Sequence, residues 1–219
     1  LGYFADAQVE TRQGSGPDQV IVGVNVEEQP TGSLTLGASY GVNSGVGLNV
    51  GLSEQNFLGR GQSLGVNIST ASGDRTAAIN FSEPFFLGRN LRLGFGLNYN
   101  ETEGLNADYD TRSLGFRPSL EFPVSQNGRL ELRYRISEEV LSNVNEESSL
   151  ILREEEGTRV TSAFGYSYNW DSRRTGLDPQ TAYRLRFSQD IAGLGGDTKS
   201  VTTTVLAGVE SNAWRDEVT

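Results

Sequence analysis

Carboxylates and guanidiniums supply most of the strong acid–base and ion-binding capacity of this chain. It holds 28 Asp and Glu against 18 Lys and Arg, with no His and no Cys. Without histidine a Ser-His-Asp relay cannot be assembled, and the commonest metal ligand is missing. Paired carboxylates of the glycosidase kind need a fixed separation. Here they crowd into stretches that offer nothing to fix one: Glu101, Glu103, Asp108 and Asp110; Glu146 and Glu147; and Glu154, Glu155 and Glu156. An oxygen-only cation such as calcium is one reading of these stretches. A solvated acidic loop is the other, and the lack of EF-hand spacing favours it. Gly193-Leu194-Gly195-Gly196 is glycine-rich, but no Walker lysine-serine pair follows. No catalytic, cofactor-binding or metal-ligating residue is therefore assigned. The expectation is a protein that is not an enzyme and takes no cofactor, unless a surface enzyme carries its catalytic groups on another part of a longer chain.

What remains is the chemistry of the backbone, set by the elements that carry it. Leu34, Leu36, Ala38 and Tyr40 alternate with Ser33, Thr35, Gly37 and Ser39. Val46, Leu48, Val50 and Leu52 alternate with Gly47, Asn49, Gly51 and Ser53. One face is uniformly apolar and the other small or polar, as in a strand with hydrocarbon on one side and water on the other. The pattern recurs near 62–71, 75–82, 90–100, 110–123, 128–140, 158–171, 181–191 and 198–210, which makes ten strands. Arg92, Arg117, Glu121, Glu131, Arg133, Arg135, Arg184 and Arg186 all fall opposite the apolar rows. The apolar rows themselves are read as free of charge, since Arg or Lys at mid-bilayer costs about 2–4 kcal/mol. Tyr40, Tyr99, Tyr166, Tyr168 and Trp170 lie near strand ends, where an interfacial aromatic belt would sit.

Composition agrees with this reading. Only 36% of residues are hydrophobic and no apolar run reaches helix-spanning length, yet a β-barrel escapes that test because half of each strand faces water. Many of the 27 glycines fall mid-strand, among them Gly47, Gly51, Gly65, Gly94, Gly96, Gly115, Gly165 and Gly208. The inner wall of a curved sheet uses glycine to relieve crowding, whereas a sandwich core needs bulk there. A net charge of −10 argues against a nucleic-acid partner. No methionine occurs, even at position 1, so the chain reads as an internal piece of a longer protein. The fold class expected is all-β: part of an antiparallel transmembrane barrel.

Residues 1–30 differ. Residues 1–4 read as the end of an apolar helix. Residues 5–12 and 19–28 read as two strands around a Gly-Ser-Gly-Pro-Asp turn, with Val20, Val22, Val24 and Val26 on one face. Pro30 marks a hinge. If this piece lies in the periplasm, the connections 100–109 and 142–159 are long outer loops. Residues 125–128 then form a short inner turn, and the inner turn 54–61 is longer than expected.

Residues 27–41 (EEQPTGSLTLGASYG), 53–62 (SEQNFLGRGQ), 82–86 (SEPFF) and 168–197 together resemble the BamA family of outer-membrane protein assembly factors. The most specific parts are the hinge with the first strand, the turn Asn56-Phe57-Leu58-Gly59, and the turn Asp171-x-Arg173 with Pro179. Ala182 departs from the family, which usually has glycine there. The resemblance implies that residues 1–30 are the C-terminal part of the last α/β POTRA domain, in the periplasm. Residues 31–219 would be about ten strands of a sixteen-strand barrel in the bacterial outer membrane. The Arg-Gly-Phe loop and the closing strands of the family would lie outside this chain, and Thr219 is not the terminal aromatic of a complete barrel. The implied activity is insertion of β-barrel proteins through a lateral seam at the first strand. The client-pairing residues would be Gly32, Ser33, Leu34, Thr35, Leu36, Gly37, Ala38, Ser39 and Tyr40. Partners would be unfolded outer-membrane barrel proteins, outer-membrane lipids and the lipoproteins of an assembly complex. The alternatives are a translocation-assembly or two-partner-secretion relative, a passive porin or adhesin, or a soluble sandwich with a second packed layer.

Overall fold

A computed structural model of the chain describes residues 3–16, 18–42, 45–104, 108–175 and 181–211. Leu1, Gly2, Pro17, residues 105–107, Pro179 and Thr219 fall outside the described residues. Strands β1 (Phe4–Gln13) and β2 (Val20–Glu28) form a two-stranded antiparallel sheet. Ten further strands follow: β3 (Gly32–Gly41), β4 (Gly45–Phe57), β5 (Gln62–Ala71), β6 (Asp74–Glu83), β7 (Arg92–Thr102), β8 (Asp110–Pro123), β9 (Gly128–Ser142), β10 (Gly157–Asp171), β11 (Thr181–Ala192) and β12 (Ser200–Ser211). Each pairs with its sequence neighbours in one antiparallel sheet, with β3 and β12 as its edges. This meander follows from the turn-rich spacing, since antiparallel neighbours need only short connections.

Register fixes the faces. Leu36 stands opposite Val50, Val50 opposite Ile68, and Ile79 opposite Leu97. Leu97 in turn meets Phe116, and Phe116 meets Ile136. The apolar rows thus merge into one continuous surface. Phe81 and Phe95 stack across that surface with ring centroids 5.1 Å apart. No second layer among the described residues covers it: Leu36 is 71% exposed, Leu48 54% and Val205 61%. Among the described residues the only buried apolar side chains are Ala163 and Ala182. A water-soluble sheet must bury its apolar face against another element. A membrane wall buries it in hydrocarbon.

The eight arginines and glutamates assigned opposite the apolar rows do fall on the other face, beside Gly94, Gly96, Gly115 and Gly165. The apolar rows, however, are not wholly free of charge. At the end remote from β1–β2 they run into Arg75, Glu101, Arg112 and Glu138, and at the opposite end into Glu54 and Glu83. The charges lie at row ends, where the strands emerge into water. Several are paired: Arg75 with Glu101 at 2.9 Å and with Glu103 at 3.3 Å, and Arg112 with Glu138 at 3.7 Å.

Three local expectations change. Phe4 opens β1 rather than ending a helix. The long turn 54–61 shortens because β4 continues to Phe57 through an irregularity in register between Glu54 and Phe57. The acidic loop after β9 contains a short helix, α1 (Leu150–Glu154), which is capped by Ser149 Oγ accepting from Leu152 N. The loop 193–199 lies along the first residues of β10. Gly193 N donates to Ser162 O at 3.1 Å, Asp197 N to Val160 O at 2.7 Å, and Ser162 Oγ to Leu194 O at 2.7 Å.

Candidate strand-pairing edge

All nine residues Gly32–Tyr40 belong to β3 and are exposed. Among the described residues the strand pairs with β4 alone. In an antiparallel ladder alternate residues bond to the partner, so the remainder aim their N–H and C=O groups at the open side. Edge strands are usually blunted by charge, proline or a bulge. Gly32–Gly41 contains no charged residue and no proline, and its register with β4 is unbroken from Gly32↔Glu54 to Gly41↔Gly45. Among the described residues, no side chain of β3 makes a hydrogen bond or ion pair, so no side-chain bond must break before that edge can pair.

The base of β3 is held differently. Thr31 Oγ1 donates to Glu54 Oε1 at 2.5 Å, and the same carboxylate oxygen accepts from Asn56 N at 2.8 Å. Gln55 N donates to Thr31 O at 3.1 Å, and Gly61 N to Asn56 Oδ1 at 2.7 Å. Glu54 thus ties the residue before the strand to the first turn. Gly32 leaves room for this approach: a Cβ there would sit 2.5 Å from Glu54 Oε2 and push the carboxylate aside. Sequence reading missed Glu54. Its signal was a charge ending an apolar row beside a stretch too long for a tight turn.

At the far side of the sheet the inner face is locked. Arg133 on β9 forms a bidentate pair with Asp190 on β11, Nε–Oδ1 2.9 Å and Nη2–Oδ2 2.6 Å, and also donates to Ser167 on β10. Gly165 makes the space: a Cβ there would lie 2.1 Å from Asp190 Oδ1. Arg129 pairs with Glu121 at 2.5 Å, and Arg184 with Glu210 at 3.2 Å. Asp171 caps its own turn by accepting from Arg173 N at 2.9 Å. Ala182, the family departure, is 4% exposed, so its position admits a methyl but little more. Among the described residues no three acidic side chains converge as a metal cage. Several have other partners: Glu101 and Glu103 hold Arg75, and Asp110 accepts from Gly104 N and Asn143 Nδ2.

Comparison with known proteins agrees with this architecture. The chain is 28% identical over 209 residues, 95% of its length, to the outer membrane protein assembly factor BamA of Neorickettsia risticii, and spans 28% of that protein. It is 25% identical over 205 residues to the sorting and assembly machinery component 50 homolog B of Xenopus laevis, covering 90% of this chain and 43% of the relative. Among solved structures, Haemophilus ducreyi BamA lacking POTRA domains 1–3 superimposes with a TM-score of 0.62 at 21% identity, over 97% of this chain and 47% of that one. The fold is thus a partial antiparallel transmembrane β-barrel. The Omp85 superfamily domain model matches residues 56–211, most of the chain, and the chain belongs to that superfamily.

Proposed function

We propose that this chain is the N-terminal part of the barrel of an outer-membrane protein assembly factor, in which the open edge of β3 serves as a template for incoming client strands. It is a bacterial outer-membrane chain. Relatives named as assembly factors support the general role. The observation that carries the finer reading is the make-up of β3: free of charge and proline, unbroken in register with β4, and without side-chain bonds among the described residues.

In hydrocarbon each unpaired backbone group costs several kcal/mol, so an exposed edge and an unfolded client strand both gain by pairing. Pairing through main-chain groups is indifferent to most client side chains. The small polar residues Ser33, Thr35 and Ser39 keep the second face clear. The clients are unfolded outer-membrane β-barrel proteins. Outer-membrane lipids surround the wall, and lipoproteins of an assembly complex are the further partners. Residues 1–30 are the end of the last POTRA domain in the periplasm. Support comes from the exposed valine face of β2, which nothing among the described residues covers, and from β1–β2 sitting beside the turns at one end of the sheet.

A proline scan through Leu34–Tyr40 in the full-length protein tests the template. Consecutive residues direct their N–H groups to opposite sides, so proline alternately removes a donor to β4 and a donor to the open edge. The expected result is a period of two. Open-edge positions lose insertion of a reporter barrel while the protein keeps its own stability. Normal insertion at every open-edge position rejects the proposal. Leu36→Pro and Ala38→Pro share one parity, and Gly37→Pro has the other.

A further inference from the structure

Two turns on the β1–β2 side of the wall carry the same four residues. Phe57-Leu58-Gly59-Arg60 joins β4 to β5, and Phe86-Leu87-Gly88-Arg89 lies between β6 and β7. Their backbones match. Leu58 has φ 57° and Leu87 φ 58°, and the glycines that follow have φ 68° and 67°. Their hydrogen bonds match too: Gly59 N to Asn56 O (2.9 Å) and Arg60 N to Phe57 O (3.3 Å), against Gly88 N to Phe85 O (2.8 Å) and Arg89 N to Phe86 O (3.2 Å).

A left-handed conformation is costly for leucine, about 1–2 kcal/mol, and asparagine or glycine would adopt it more easily. Strain of this kind normally survives where the side chain has work to do. Packing within the chain does not supply that work, because Leu58 is 72% exposed and Leu87 75%. Both turns grow from the rim of the apolar face. Phe57 stands opposite Gln62 at the end of an apolar row, Gln62 Nε2 donates to Glu83, and Glu83 accepts from Phe85 N at 3.0 Å. A recess of about 1010 Å³ lies between the wall and Tyr3, Phe4 and Glu28; Gly59 and Arg60 of the first turn reach its lining, but neither leucine does. The leucines therefore do not serve the small sheet. Each has an arginine two residues later, and Arg60 already acts electrostatically on Glu83 at the rim.

We propose that the paired turns are a lipid anchor. Leu58 and Leu87 enter the acyl boundary of the adjoining leaflet, and Arg60 and Arg89 meet its phosphate headgroups. Continuity with the lipid-facing surface selects the occupant, and the apolar-plus-cationic pairing is the chemistry of a membrane interface. The inference rests on the membrane-spanning fold alone and is independent of the strand-template reading.

The test uses the full-length protein in a cysteine-free background, placed in nanodiscs of phosphatidylethanolamine and phosphatidylglycerol. Nitroxide labels go on Leu58→Cys, Leu87→Cys and, as a control in an acidic loop, Glu147→Cys. The anchor predicts a ratio of oxygen to nickel-chelate accessibility at 58 and 87 several-fold above that at 147. Equal nickel access at all three sites overturns it, as does exclusion of both reagents at 58 and 87, which would indicate a protein contact. If labelled cysteines disturb the turns, relaxation of the native leucine methyls by nitroxide-bearing lipid reads the same contact. Leu58→Asn and Leu87→Asn, which tolerate the turn conformation, assign the two signals. Absence of lipid-induced relaxation then overturns the anchor.

Discussion

The edge at β3 and the wall at β9–β11 are the same antiparallel ladder secured in different ways. Along β3–β4 only backbone bonds hold the strands, and side chains facing each other are pairs such as Ser33↔Ser53, Thr35↔Gly51 and Ser39↔Gly47. Across β9, β10 and β11 a single arginine on β9 bonds to Ser167 on β10 and Asp190 on β11, over a glycine that leaves it room. Ser162, Ala163 and Ser167, all in β10, are at most 2% exposed, whereas β3 has no buried residue. Side-chain cross-links raise the cost of separating strands, and their absence keeps it low. A wall that must open at one place and hold elsewhere gains from this division, which the proposed seam at β3 would exploit.

The contrast is open to perturbation from its stiff side. Gly165→Val has the largest expected effect. Its side chain must displace the Arg133–Asp190 pair and overpack the site, at about 2–3 kcal/mol. The urea midpoint of the complete protein folded in lipid vesicles checks it. Asp190→Ala comes next at about 1–2 kcal/mol, since solvent screens a carboxylate that is only part-buried. It leaves Arg133, whose side chain is 11% exposed, without its partner, while Asp190 itself is 38% exposed. The two changes break one interaction, so the double variant should fall well short of the sum. An additive result would dissolve the distinction between a locked wall and a plain one.

From the soft side, Glu54→Gln weakens the bonds to Thr31 and Asn56 by removing the charge on the acceptor. It should speed hydrogen exchange at Gly32–Leu34 while exchange in β10 stays unchanged. Slower client insertion without loss of global stability would place the clamp in register control of the first strand. The smallest effect is expected at the remote rim. Arg75→Ala removes exposed pairs with Glu101 and Glu103, and the urea midpoint should stay within measurement error of the parent. A larger shift would mean that the charged rim is structural.

Sequence alternation reached far into this molecule because a membrane strand obeys two solvents at once. The apolar rows, the inward glycines and the eight inward charges were all legible, since a period of two leaves each residue only one face. The row-end charges were misjudged. Arg112 and Glu138 share parity with leucines and phenylalanines, and only strand length shows that they stand at the water boundary. Pairing across distant positions was also invisible: Arg133 and Asp190 are 57 residues apart, and nothing local joins them.

By itself the sequence determined which face of each wall strand meets oil, where most connections fall, and that backbone rather than side-chain chemistry is on offer. Tertiary structure decided the register between strands, which arginine finds which carboxylate, and that two leucines are forced outward on strained turns. The physical reason is range. Solvent preference acts on each residue alone, whereas register, cross-strand pairing and backbone strain exist only once distant segments lie side by side.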